Sequence, residues 1–465
     1  DEAATSDGSV AFAAAVAVSD IDSSTLAALD SAQTLHSEGG LTLSSTALTQ
    51  SDVVADGSSA GGSVGVGVGV ALNLARLNNE ARIAQPVDTV GVNVKATLPD
   101  GDEINLFSTA ATAGAGANDV GVAGALAVNV LDNASAAHIA GSGRVNAGNG
   151  RVSIRAENRS ESNASATPAG DATVSGETLG VGAAVAINVI ANTSRAQLAN
   201  GATLDGTGTL GLEALGEYAA RTEAEAGAEG GIAATPVAAV AVIDNNTQAT
   251  IGTGTPIRVG GEVRVEALQA STSETSAKAS AAGEKAALGI AVGVNVINET
   301  VSASIHRNVD ANGDIHLAAY SAHLSSTTAT ASAKGGKGEE EGGEEEGEDS
   351  AEDDVDQEIG RQTQFAQGKQ KDDSESKTQE PDSAETSEGK ISVAAAVAVN
   401  SARTSTTASI ADGVELAASG ALSVEASGNA DASADADGSA AGSTTTVGIG
   451  AAVAVNSVRS ATEAW

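Results

Sequence analysis

A chain of 465 residues has room for two or three ordinary domains or for one long repeat array. Apolar residues supply 41% of it, enough to bury a core, but aromatics supply 1% and Met and Cys are absent. A core of Ala, Val, Ile and Gly reaches native packing density only where backbones lie close together in a regular stack. That favours thin, layered β-structure over a helical bundle or a doubly wound sheet. The net charge of −38 repels nucleic acid and anionic membrane, and both are excluded as partners. Without Cys there is no disulfide framework and no thiolate chemistry. Asn or a charge interrupts every apolar run before membrane-spanning length, so no membrane insertion is expected. The chain starts at Asp1 with no visible signal peptide, which reads as a processed or excised piece.

One motif recurs eight times in chain order. Its reference position is Ser19, Asn73, Asn129, Asn188, Ala241, Asn295, Asn400 and Asn456. The preceding residue is aliphatic in every copy, from Val18 and Leu72 to Val399 and Val455, and the eighth residue after it is always Ala. Ten residues after it stands Leu29, Ile83, Ile139, Leu198, Ile251, Ile305 or Ile410. References lie 53 to 59 residues apart, except for a gap of 105 between Asn295 and Asn400. A second submotif, Gly-x-aliphatic-x-aliphatic, follows about 22 residues later, as in Gly150-Arg-Val152-Ser-Ile154 and Gly261-Glu-Val263-Arg-Val265. Such internal periodicity is the signature of a repeat architecture.

The apolar period within each copy is two, which predicts strands. In Val185–Val189 one face carries Val185, Ile187 and Val189, while the other carries Ala186 and Asn188. The apolar parity flips further along, so a turn is predicted at Asn192-Thr193-Ser194 and its equivalents. A unit of about 54 residues then holds three or four short strands and most simply makes two coils. The expected fold is all-β, a β-solenoid and most simply a parallel β-helix, of about fourteen to sixteen coils and roughly 70 Å. A stacked antiparallel meander, or a sandwich of long strands, is the competing architecture.

By domain, residues 1–333 read as solenoid repeats, 334–390 as an acidic low-complexity insertion, and 391–465 as the same solenoid continued. The insertion contains GGKGEEEGGEEEGEDSAEDDVD and almost no aliphatics, the composition of a solvated loop.

Few motifs carry chemistry. The Asn row (Asn73, Asn129, Asn188, Asn295, Asn400, Asn456) fits either an internal amide ladder up the stack or a solvent-facing row of small polar residues. Asp310, Asn312 and Asp314 place oxygen donors at alternate positions, as in half of a calcium loop, but the downstream Glu is missing, and plain turn residues are the alternative. Ca²⁺ is therefore a candidate ligand, and no cofactor is required. The five histidines form no cluster and are expected on the surface. Gly65-Val-Gly67-Val-Gly69 reads as a strand whose glycine face packs closely. Of six Asn-x-Ser/Thr sequons (Asn133, Asn158, Asn163, Asn192, Asn245, Asn298), most fall in the predicted turns. No nucleophile elbow, zinc motif or aromatic sugar platform occurs, so no enzyme is expected.

Units of the form GVGAAVAINVIANTSRAQL followed by GTLGLEA resemble the repetitive β-solenoid regions of large bacterial surface adhesins, filamentous-haemagglutinin-like or autotransporter-passenger-like exoproteins. The resemblance spans nearly the whole chain outside 334–390. It implies an extracellular or cell-surface location and a structural or adhesive rod within a giant secreted protein. Its partners would be itself, end to end or laterally, neighbouring repeats of a longer chain, or cell-surface and matrix glycans. The alternatives are a β-helix scaffold with a polysaccharide-binding or polysaccharide-modifying site, and a cation-dependent assembly protein. Both termini fall inside a unit, so the array is expected either to continue or to stack into filaments.

Overall fold

Strands that alternate small inner residues with larger outer ones can stack in parallel without limit, and this chain does so. A computed structural model describes residues 9–99, 101, 103–168, 174–335, 391–441 and 447–465. The chain is all-β, and every strand pairing among the described residues is parallel. The reference positions form one column: Ser19 pairs with Asn73, then Asn129, Asn188, Ala241, Asn295, Asn400 and Asn456 in direct succession.

This register corrects the coil count. Val10 pairs with Val64, and Val64 with Val120, so one unit makes one coil rather than two. Eight rungs at about 4.8 Å give a stack of about 34 Å, half the expected length. Each coil is correspondingly wide. Its front strand runs some 20 residues without a break, as in Val64–Ile83 and Val120–Ile139. A short strand such as Ile257–Val259 then turns the corner, and a second long stretch such as Ile315–Gly335 returns as a back sheet. The last of these runs two residues into the expected insertion; residues 336–390 lie outside the described residues.

The predicted turn at Asn192-Thr193-Ser194 does not form. Val174–Leu198 is one strand, and its in–out alternation runs unbroken from Gly180 through Asn192 to Leu198, past a register shift at Gly176–Leu179. The parity flip has another cause. Before the reference position the inner face holds Ala and Gly and the large aliphatics point outward. Beyond it the inner face holds Ile190, Ala196 and Leu198. Side-chain size follows the gap between the sheets, which is narrow at one end of the coil and wide at the other.

At the narrow end the two sheets touch almost backbone to backbone. A Cβ on Gly67 would strike the Gly114 carbonyl and one on Gly69 the Thr112 carbonyl, while one on Gly182 would lie 2.5 Å from Gly227 O. The core there is nearly pure alanine, including Ala71, Ala127, Ala186 and Ala239. At the wide end three short walls enclose Ile83, Val94, Ile139, Ile154, Leu198, Ile251 and Ile305. Tight turns close this corner, with Gly201 at φ +82 where a side chain would be strained. Arg307, 3% exposed, locks the corner of two adjacent coils. It donates to the carbonyls of Gly252, Ala202 (2.6 Å), Ala199 (3.0 Å) and Thr253 (2.7 Å), and burial lowers its pKa to about 10.

Candidate functional site

Between the alanine zone and the aliphatic zone runs a buried polar seam. Asn73, Asn129, Asn188, Asn295 and Asn400 are all 0% exposed and face the back sheet. Their partners are mostly not one another. Asn129 Nδ2 donates to Ser162 Oγ (2.7 Å), and Ser162 Oγ donates to Asn188 Oδ1 (2.8 Å). Asn188 Nδ2 in turn reaches Ser162 O (2.9 Å). A serine of the back sheet thus bridges two front rungs, so the row ties sheet to sheet as well as rung to rung. Ser51 with Asn73, Ser273 with Asn295 and Ser325 with Asn400 repeat the theme. Asn456 is exposed and donates to Ala432 O (2.7 Å).

Direct side-chain ladders occur four residues on. Asn192 Nδ2 donates to Asn245 Oδ1 (3.0 Å), and Asn245 Nδ2 donates to Glu299 Oε1 (3.0 Å). This ladder ends on a buried carboxylate–imidazole pair. Glu299 Oε1 lies 3.3 Å from His323 Nδ1, with both side chains 1% exposed. Burial alone would push the Glu299 carboxyl up. The His323 imidazole, with hydrogen bonds from Ser271 and Asn245, outweighs that and holds it below its ordinary value. His323 is therefore no surface residue, contrary to the sequence expectation, because its column on the back sheet faces inward. Neighbouring Tyr218 is also buried, and burial raises its pKa.

Ser271, His323 and Glu299 have the composition of a catalytic triad without its geometry. Ser271 Oγ (2.9 Å) and Glu299 both address Nδ1, so no nucleophile faces Nε2. The small cavity beside them measures about 10 Å³, room for about one water molecule. The cluster fastens rungs together.

Asp310, Asn312 and Asp314 take separate roles. Asp310 lies 3.9 Å from Arg258, the Asn312 N–H donates to Val259 O, and Asp314 Oδ1 accepts the Ala421 N–H (2.7 Å). Among the described residues no group of three His, Cys, Asp or Glu is placed to hold a metal ion. Four sequon asparagines, Asn133, Asn158, Asn192 and Asn245, are buried within the seam; Asn163 and Asn298 face outward.

The two outer surfaces differ in kind. The back sheet carries charge ladders: Arg155 bridges Glu157 (3.1 Å) and Glu213 (2.5 Å), and Arg264 and His316 share Glu266 (2.6 and 3.2 Å). An open groove of about 500 Å³ there is lined by Lys95, Arg155, Glu157 and Arg159. The front sheet carries the aliphatic spine on its outside. Six outward columns, from nine residues before the reference to one after it, cross all eight rungs and hold one ionisable side chain, Asp20. Val189, Ile232, Val242, Leu288, Ile290 and Val296 are each 36–46% exposed. Alternation made this face visible in the sequence, but not which side of the sheet is solvent.

These features define an all-β repeat protein of solenoid type with one apolar and one charged face. No family model, no curated protein and no solved structure matches the chain.

Proposed function

We propose that the chain is a structural and adhesive segment of a large secreted surface protein, as its likeness to the solenoid regions of bacterial adhesins implies. The observation that carries this reading is the unbroken reference column from Ser19 to Asn456. Every rung is built to receive another, and the interior is committed to packing. Each unit adds about 4.8 Å of height, so repeats set length and spacing. The role requires no cofactor, and its partners are further repeats, copies of itself, or glycans at an extracellular surface. Calcium at Asp310, Asn312 and Asp314, and cation-dependent assembly, are subsidiary to it.

Solution scattering and electron microscopy of the purified chain test the reading. The expected particle is a slab about 34 Å high and about 63 Å along the strands, given about 3.3 Å per residue. A globular particle of equal axes overturns it. The groove at Lys95, Arg155 and Arg159 supports the second reading, a scaffold that binds acidic polysaccharide. Titration with an oligogalacturonate separates the two: saturable binding lost in Arg155→Ala favours the scaffold.

A further inference from the structure

We propose that the apolar outer face of the front sheet is the contact between two copies of this chain, stacked sheet on sheet. The inference rests on the structural reading above and names its partner. Outward columns are about 6.6 Å apart and rungs about 4.8 Å, so six columns over eight rungs cover about 1,500 Å². A stable interface needs about 800 Å² per partner. The largest apolar patch of an ordinary monomer is about 300–600 Å². Within a chain of net charge −38, a face this large with Asp20 as its one ionisable group is a local exclusion of charge.

The shape favours a second copy over other occupants. Both partners present the same lattice, so the ridge of Val128, Ile187 and Val240 on one seats between the equivalent ridges of the other. A lipid-facing surface would be rimmed by basic and aromatic residues. Here the bordering column mixes Asp22, Arg76, Asp132, Asp244, Arg403 and Arg459, and the face has one aromatic, Phe12. Apart from Asp20 the acidic groups lie off this face, where about 0.1 M salt screens their mutual repulsion beyond about 10 Å. Pairing therefore strengthens with salt, opposite to a contact held by ion pairs.

Sedimentation velocity of the whole chain, at low and at 0.5 M salt, reads this directly. The expected result is a dimer or larger species, favoured by salt and reduced to monomer in Val128→Lys/Val240→Lys. Thr272→Lys on the outer back sheet leaves the wild-type distribution unchanged. Circular dichroism checks the fold; should the lysine pair not fold, Val128→Thr/Val240→Thr keeps the strand preference and weakens association at least tenfold. A monomeric wild type, or association that survives the front-face substitutions, overturns the proposal. Flotation on neutral phosphatidylcholine vesicles, abolished by the lysine pair, overturns it too by assigning the face to lipid. Slabs seen singly refute the pairing alone, whereas particles that are not slabs refute the structural reading beneath it.

Discussion

Replacing His323 by leucine tests the buried Glu299–His323 pair most sharply. For a protonated His323, 3.3 Å and an effective dielectric of about 20 set an attraction to Glu299 of about 5 kcal/mol. Removing one partner of a buried pair costs about 3–5 kcal/mol, because the other charge stays behind without compensation. His323→Leu is therefore expected to destabilise by about that amount. Adding Glu299→Gln removes the stranded charge while keeping the acceptor for Asn245 Nδ2, so the double variant regains most of the loss. Denaturant unfolding with hydrogen exchange at rungs 263–335 reports the local change. The pH dependence has a definite sign. The Glu299 pKa lies below its ordinary 4.5, so its contribution is present above that value and vanishes as pH falls through the folded value. In His323→Leu burial dominates, the carboxyl pKa rises, and acid destabilisation begins at higher pH. Equal losses in the single and double variants, with no shift of the acid limb, would refute the charge argument.

Three further outcomes follow from the packing. Gly69→Val must force the narrow sheets apart against the Thr112 carbonyl and should cost about 3 kcal/mol, while Gly124→Ala, with open space around it, is near neutral in the same melting assay. Asn188→Ala removes the acceptor of the Ser162 hydroxyl, which keeps only its bond from Asn129, and should cost about 1–3 kcal/mol by chemical denaturation; Ala241 fills the same column, so a complete loss of folding would contradict the seam described above. Chelation by EDTA, or added millimolar Ca²⁺, should leave the melting temperature unchanged. A calcium-dependent rise abolished by Asp314→Asn would instead establish the acidic turn as a site.

The periodic columns made much of this fold legible. A reference residue with aliphatics before it, Ala eight later and Ile ten later fixed the strands and their alignment. Coil number was not legible, since alternation is identical whether 54 residues close one circuit or two. The false turn at Asn192 arose from treating large aliphatics as always inner. Gly67 and Gly69 show why that fails: where sheets nearly touch, only hydrogen or methyl fits, and valine must go outside. Glu299 and His323 lie on facing sheets of neighbouring stretches, and nothing local joins them. The signal that existed was columnar, for Glu299 occupies the place held by Asn133, Asn192 and Asn245.

One coil per unit also sets how the stack bears load. The backbone runs crosswise, over strands of 20 residues, while the stack grows at right angles to them. Tension along the axis falls on the ladder hydrogen bonds, not on covalent bonds, and a whole rung of front and back strands must shear together before it yields. Force applied at a free strand end meets the same bonds one after another. The material is thus strong when pulled evenly and weak when peeled, like a zip fastener laid across the direction of strain.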